Sequence, residues 1–450
     1  MTMLESVTIK RHIEIFVEKV RINADHLKRH RPYAGVVIIG LAALLTGQCE
    51  RSRFIQALEM ANLDAWVVSH HTDLSRDIVM IDIGDNDYKE TFDRKSPLDR
   101  GKVRKLIVLI AKAGASVIAV DLDTADWTPQ DLPPDWLREG IRPGHQTPTI
   151  IWARTTHEAE GGHLLLNRFA GRDDTTPIQA ADETVCWGVP EVLESGGFVR
   201  AYHRNISLGA TTVPSLAAAA AAAFREPRPH YETTGSVNCS ILSHRFDDRA
   251  SPAILRTGGR RFPRYHPPEL ELMGTSPSDA GTPVVTPLSD KIVILGGSFA
   301  EARDSYWTAA GKRDGIEVLA TAIDSEMHKP MPLEASGLLF YIVDIVFGLI
   351  ILLTGRLLPY SGSLLVVVGA IPVAAVVGSF LAFSSWSYFA SFMPVLLGVF
   401  LHKLFDDWWE ALKTREKGGV LRDQLDEMVD SEETLSKRKT LTTRVTRGRA

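Results

Sequence analysis

Three long apolar runs crowd the C-terminal part of the chain, and a shorter one stands near its start. The first of the three is SGLLFYIVDIVFGLIILLTG, Ser336 to Gly355; the second is SLLVVVGAIPVAAVVGSFLAF, Ser363 to Phe383; the third is SYFASFMPVLLGVFLHKLF, Ser387 to Phe405. Each approaches the ~20 residues a helix needs to cross the hydrocarbon core of a bilayer. They carry almost no charge, so three spans are predicted over 336–405. The N-terminal run, PYAGVVIIGLAALLTGQC from Pro32 to Cys49, has a shorter apolar centre and follows the basic stretch HLKRHRPY. An uncleaved anchor over 32–49 is expected, and a cleaved signal peptide is the alternative. Gln48 stands directly before Cys49, where a lipoprotein signal would want a small residue.

The middle of the chain has a different texture. Glu50–His70 predicts a helix leaving the membrane. Ile78 to Ile83, an apolar run closed by Gly84 and acids, predicts a buried strand. Asp99 is placed to cap a helix whose apolar face is Val103, Leu106, Ile107 and Ile110, with Gly114 ending it. Ser116 to Val120 is a second apolar strand, so strand, helix and strand form a βαβ unit with a parallel pair. Thr149–Ala153 predicts a further strand, and Gly196–Arg204 a strand with polar alternation. Pro214-Ser215 opens a closely packed helix through Ala217–Ala223, since Ala combines high helix propensity with little bulk. Arg245–Thr286, rich in Pro, Gly, Arg and His, is expected to be a loop-rich insertion. Lys291–Leu295 predicts a buried strand, and Gly315–Met327 a helix leading toward the first of the three C-terminal runs.

Charge sets an orientation on this pattern. Residues 1–31 carry seven Lys/Arg against four Asp/Glu, the connection GRLLPYSG carries Arg356 and no acid, and the last fourteen residues carry six Lys/Arg and no acid. The connection SSWS is uncharged. The positive-inside bias then puts both termini in the cytoplasm and residues 50–335 outside. Trp386 and Tyr388 suit an aromatic belt at the outer surface, Trp408 and Trp409 one at the inner surface. Pro372 and Pro394 are expected to kink their helices. The resulting domains are a basic cytoplasmic segment (1–31), a first span (32–49), an extracytoplasmic domain (50–335), three spans (336–405) and a cytoplasmic tail (406–450). The fold class expected is an α/β domain with a mostly parallel central sheet, plus a helical membrane bundle. At 450 residues, 45% hydrophobic and 23% charged, the chain is neither disordered nor membrane throughout. A net charge of -5 gives no basic field for nucleic acid.

The segments SPLDRGKVRKLIVLIAKAGASVIAVDLD and SDKIVILGGSFAEARDSYWTAAGKRDGIEVLATAIDSEM, followed by three apolar runs, resemble the type-two CHASE domain. This is the cyclase- and histidine-kinase-associated extracellular sensory family of bacteria. DIVMIDIGDND and VPEVLESGGFVRAYHR match in order, and the resemblance covers about residues 50–405. FDRKSPLDR stands where the family commonly has a Trp-Pro-Trp-type turn, and the His/Pro-rich insertion is atypical. The resemblance implies a membrane sensor whose outer domain detects a small ligand or a periplasmic protein. Family members commonly continue into a cytoplasmic cyclase, kinase or phosphatase module. None is recognised in this chain, so a separate cytoplasmic output protein is expected to read residues 406–450.

Candidate chemistry is sparse. Asp82 and Asp85 follow or end the first strand, with Asp87 just beyond; Asp121 and Asp123 end the second. Gly296, Gly297 and Ser298 follow a third strand, and Asp304 lies further on. In parallel sheets ligands bind beyond the carboxyl ends of strands. These residues are therefore the candidate ligand-binding set, with backbone N–H groups of GGSF offered to an anion. Convergent carboxylates suit Mg²⁺ or Ca²⁺, which leaves a metal-dependent hydrolase as the alternative function; strand-end turns and helix caps are the plainer role for the same acids. Arg200 and Arg204 either face an acidic ligand or lie on a solvated strand face. Asp344, inside the second span, is the candidate for signal coupling, because intramembrane carboxylates are expensive. The histidines, among them His70, His71, His203, His230, His244 and His266, lack metal-ligand spacing. No catalytic or nucleotide motif is recognised, so no cofactor is expected. Cys186 and Cys239 fall where oxidation is available. Leu421, Leu425, Met428 and Leu435 lie near heptad spacing. The expected partners are membrane lipid, the ligand, the output protein and a second copy of the chain in a homodimer. A non-sensing scaffold of a membrane complex is a further alternative.

Overall fold

The computed structural model describes residues 53–69, 75–124, 127, 147–158, 164–166, 186–208, 211–225, 252–256, 262–274 and 287–328, and, further on, 345–346, 349–350, 353, 365–386, 389, 396 and 399–400. The chain divides into two compact units, one built from 59–335 with 378–391, the other from 1–58, 336–377 and 392–450. The N-terminal run 32–49, Asp344, Cys239 and the tail 406–450 lie outside the described residues.

Helix α1 (Arg53–Ser69), of which residues 59–69 belong to the first unit, precedes strand β1 (Ile78–Ile83). The short helix α2 (Asp85–Glu90), helix α3 (Arg100–Lys112), β2 (Val117–Asp121) and β3 (Thr149–Ala153) follow, then a hairpin of β4 (Thr156–Glu158) and β5 (Leu164–Leu166). Next come β6 (Cys186–Gly188), β7 (Val192–Ser195), β8 (Phe198–Tyr202), the antiparallel pair β9 (Asn205–Leu208) and β10 (Thr211–Pro214), and α4 (Leu216–Arg225). The last group is β11 (Ala253–Ile254), β12 (Arg264–Tyr265), α5 (Pro267–Gly274), β13 (Ile292–Gly297), β14 (Ser305–Thr308), β15 (Gly311–Asp314) and α6 (Gly315–His328).

The central sheet runs β12–β1–β13–β2–β3–β6, and every neighbouring pair is parallel. Its inner strands, IVMIDI, IVILGG and VIAVD, are apolar on both faces because both faces are covered. Ile78, Met80, Val117, Ala119, Ile292 and Ile294 pack with α4 and α6. Val79, Ile81, Ile83, Ile118, Val120, Val293 and Leu295 pack with α3 and with Leu270 of α5. The result is a three-layer α/β/α domain. Each fully buried branched side chain contributes about 1.5–3 kcal/mol, so the sheet is the main source of stability.

The helices follow their local signals. The Asp99 carboxylate accepts from the Lys102 amide at 2.9 Å, and Val103, Leu106, Ile107 and Ile110 are buried. Gly114 ends the segment at φ +85°, where its missing Cβ leaves room for Ser289. In α4 the buried face from Leu216 to Ala221 is almost all alanine, and the small side chains let the helix approach β2, β3, β6 and α6. At Gly188 a Cβ would stand 2.6 Å from the Leu216 Cα, so β6 meets α4 backbone to backbone.

One expectation changes. Arg245–Thr286 is not loop alone: it supplies β11, the edge strand β12 and helix α5. These elements are too short to register as hydropathy runs. The strand expected over Gly196–Arg204 is present as β8, in a second sheet, β11–β8–β14–β15, with β7 also on β8. Gly196 and Gly197, both at positive φ, form the tight β7–β8 turn that such residues favour.

At the C-terminal runs, Leu365–Ala370 forms a π-helical turn that passes into α7 (Ile371–Trp386). Pro372 stands at the junction of the π-helical turn and α7. Among the described residues, no helix is long and apolar enough to cross a membrane.

Asp99→Ala is expected to cost about 1 kcal/mol, the usual loss of a cap. Gly188→Ala is expected to cost more, about 1–3 kcal/mol, because backbone must move. Denaturant melts of the two variants against the parent check the order.

Candidate functional site

The carboxyl ends of β2, β3, β6 and β13 open into a cleft of about 710 Å³. Asp121, Leu122, Asp123 and Thr124 continue β2; Arg154 and Thr155 continue β3; Val189, Pro190 and Glu191 follow β6; Gly297 ends β13. The first turn of α4 contributes Ser215 and Ala217, and α6 contributes Gly315, Val318, Leu319 and Ala322. The loop after β13 brings Phe299, Glu301, Arg303 and Asp304, and Trp127, Tyr202 and Tyr306 add aromatic surface. The aromatic groups are held rigidly. Trp127 meets Trp152 edge-on at 5.3 Å, and Phe299 stacks on Tyr88 at 4.2 Å. Arg303 adopts a left-handed backbone, φ 52°, which turns the loop back toward the cleft.

The carboxyl groups here are electrostatically crowded. Burial, and then the nearby Asp304 carboxylate, push the Asp121 pKa from 3.8 up to about 7. Burial also raises Asp304; a hydrogen bond from Tyr306 opposes that rise and Asp314 adds to it. Tyr306 is raised in turn, by burial first and then by Asp304. Burial raises Glu191, whose carboxylate accepts from the Thr156 hydroxyl, while His203 opposes the rise. Asp304 also ties the cleft to α6. Its carbonyl accepts from the Gly315 amide at 2.8 Å, and a Cβ at 315 would fall 1.8 Å from its carboxylate. Only glycine fits there, and the acid covers the positive end of the helix dipole.

Of the predicted ligand-binding residues, Asp121, Asp123, Gly297 and Asp304 line this cleft, and Asp82, Asp85, Gly296 and Ser298 are not among its lining. Asp82 is 1% exposed and faces Ser298 (Oγ at 2.8 Å) and Arg264 (3.3 Å). Burial still raises its pKa, despite both partners. Arg264 continues to Glu317 at 2.7 Å and Asp314 at 3.4 Å, so β12 is locked to β1 and α6 by one guanidinium. Asp85 accepts from the Ala300 amide at 2.7 Å, and Asp87 accepts from the Gly84 amide at 3.0 Å while lying 2.9 Å from His266 Nδ1. These acids are caps and clamps. The GGSF amides are partly spent as well: Ser298 N–H donates to the Ile83 carbonyl, and Gly296 lies in register between Asp82 and Asp121.

Arg200 and Arg204 do face acids, but internal ones. Arg200 holds Asp64 of α1 through two bonds of 2.8 Å. Arg204 holds Glu326 of α6 at 2.6 and 3.1 Å, and the Tyr202 hydroxyl donates to Glu326 at 2.9 Å. Burial and then Glu326 raise Tyr202 well above the ordinary phenol range. Nothing in the local sequence marks Tyr202, Tyr306 or Trp127 as neighbours of one cleft, because they come from separate elements. Asp304 behind GGSF is the legible hint in the loop after β13.

Among the described residues, no three His, Cys, Asp or Glu side chains come together as a metal-holding group. The strand-end aspartates are divided between the cleft and the Arg264 clamp, so they do not converge. Cys186 is disulfide-bonded. The chain has three cysteines, so the partner is Cys49 or Cys239, both outside the described residues.

A family model for the CHASE2 domain matches residues 35–354, and the chain belongs to that family of extracellular sensory domains. No curated protein and no solved structure matches.

The raised Asp121 predicts a pH dependence. The folded protein keeps a proton that the unfolded chain releases above about pH 4, so this group costs nothing below 3.8 and its cost grows until about 7. Stability is expected to fall with rising pH across that window, by at most about 1.4 kcal/mol per unit. Asp121→Asn is expected to flatten that slope and to melt higher than the parent near pH ~8. Thermal melts of both proteins across the window check it.

Proposed function

We propose that the protein is an integral membrane sensor of the inner membrane. Its domain 50–335 faces the periplasm or exterior and takes a small ligand, or a periplasmic protein, at the cleft. Four spans carry the response to a separate cytoplasmic output protein through residues 406–450. The observation that carries this reading is that α6 forms one wall of the cleft and is also the last described element before the run beginning at Ser336. A ligand that favours one arrangement of the cleft therefore acts on the helix that feeds the membrane region. Differential affinity for two arrangements is what a signal requires.

Other features support the same placement. A disulfide at Cys186 suits an oxidising compartment. In the C-terminal runs, large apolar side chains stand open: Val373 is 63% exposed, Leu353 57% and Phe400 62%. Water is a poor solvent for such a surface and lipid a good one. The Lys/Arg bias of residues 1–31, Arg356 and the tail gives the orientation.

Single-cysteine labelling with a membrane-impermeant thiol reagent tests this reading in intact cells, with the unsubstituted protein as background. Lys312→Cys on exposed β15 is expected to label from outside, and Lys437→Cys only after the cells are opened. The reverse pattern would sink the sensor orientation.

A further inference from the structure

We infer that strand β8, with Arg204 just beyond it, is the coupling strand of the sensor, holding α1 and α6 together so that a change at the cleft shifts both membrane-directed helices as one. This rests on the sensor reading and names the element that would transmit its signal. The segment is short, and three alternate residues of it carry the contacts. Arg200 grips Asp64 of α1 bidentately. Tyr202 and Arg204 grip Glu326 in the last turns of α6. Tyr202 also lines the cleft, so one side chain touches both the ligand space and the helix.

The local backbone serves this arrangement. The β7–β8 register shifts between Leu193 and Glu194: Leu193 pairs with Ala201 and Glu194 with Val199, so Arg200 is skipped in the register, and its guanidinium reaches β7 by donating to the Ser195 carbonyl at 2.6 Å. A bulge of this kind re-aims a side chain out of the ladder, here toward α1. The Arg200 carbonyl is still used, accepting from Leu255 beside β11 at 2.8 Å. At the other end, the Glu326 side chain is buried at 2% exposure, so its charge cannot be released into water in place. Arg225 of α4 donates to the Glu326 carbonyl as well. A buried carboxylate with such partners moves with them or not at all. If Tyr202 is displaced at the cleft, Glu326 must follow, and α6 with it. Through β8, the Arg200–Asp64 pair then passes the same displacement to α1.

α1 has a further contact that makes its position consequential. Trp66 donates to the Ser379 hydroxyl at 3.1 Å and lies 5.1 Å from Phe380, while Leu63 and Val67 pack with Phe383 and Ile254. The helix held by Arg200 is therefore also the helix seated on the end of α7.

The test is a double-mutant cycle on the full-length protein in detergent, read by hydrogen exchange at α1 and α6. Among the described residues, Glu326 makes no hydrogen bond to α1, so independent sites would act additively. Glu326→Gln is expected to speed exchange in the buried part of α1 by about 5-fold or more, the lower end of typical coupling between sites. Asp64→Asn is expected to do the same in α6, and the double variant to fall short of the product of the two. Effects confined to the helix bearing each substitution, with rates that multiply in the double variant, would overturn the coupling. Should Glu326→Gln fail to fold, Tyr202→Phe keeps the ring and removes only the hydroxyl; it must perturb α6 and α1 together for the inference to stand. The labelling of Lys312→Cys reads orientation alone. Additive variants with outside labelling would remove the coupling and leave the sensor; inside labelling would remove the sensor whatever the cycle returns.

Discussion

A parallel sheet whose strands are apolar on both faces has no solvent side, and this constraint organises the rest of the domain. Val79, Ile81, Val293 and Leu295 must be covered by α3 and α5; Ile78, Met80, Ile292 and Ile294 must be covered by α4 and α6. Covering both faces leaves the strand ends as the natural place for a polar cavity. There the barrels of apolar side chain stop, and Asp121, Arg154 and Glu191 begin. The cleft thus follows from the layer architecture. Its chemistry comes from whatever the loops put over it.

What lies there is a set of acids that burial makes costly to charge. Burial raises both Asp121 and Asp304, Asp304 adds to the cost of charging Asp121, and α6 begins directly under Asp304 through Gly315. A change of charge or occupancy at this spot is therefore felt at the start of α6, while Tyr202 and Glu326 register changes near its end. The helix is addressed from the cleft at two points along its length. A domain that only scaffolds its neighbours has no need of such an arrangement, and this favours sensing over scaffolding.

The elements with long-range hydrophobic demand were legible in the amino-acid order. Strands β1, β2, β3 and β13, the capped helix α3 with its four buried positions, the alanine helix α4 and helix α6 all stand where periodicity and capping place them. Half of the candidate site was legible too, since Asp121, Asp123, Gly297 and Asp304 sit at strand ends. The remainder stand apart from the cleft for a physical reason. Asp82 and Asp121 stand in register on either side of Gly296, yet Asp82 turns to Ser298 and Arg264. That choice depends on Arg264, which arrives from a two-residue strand in a stretch that carries no hydropathy signal. Likewise, Arg200 and Arg204 read as facing an acidic ligand or solvent because their partners, Asp64 and Glu326, are more than a hundred residues away. Pairings of this kind are properties of the assembled layers and leave no mark on local sequence.

The buried Glu326 shows why such pairings are more than stabilisers. Removing a carboxylate from water costs several kcal/mol, and replacing a buried ion pair by apolar groups is often neutral or better. Stability alone would therefore be served equally well by a leucine in α6 against a phenylalanine in β8. An ionic cluster differs in one respect: it has few acceptable geometries. Glu326 must keep Tyr202 and Arg204, and Arg204 and Tyr202 are tied by the chain to Arg200 and so to Asp64. Apolar contacts can slide by fractions of an ångström at little cost, whereas these bonds cannot be half made. A linkage of that stiffness is what a domain requires if a displacement at its cleft is to reach two distant helices undiminished.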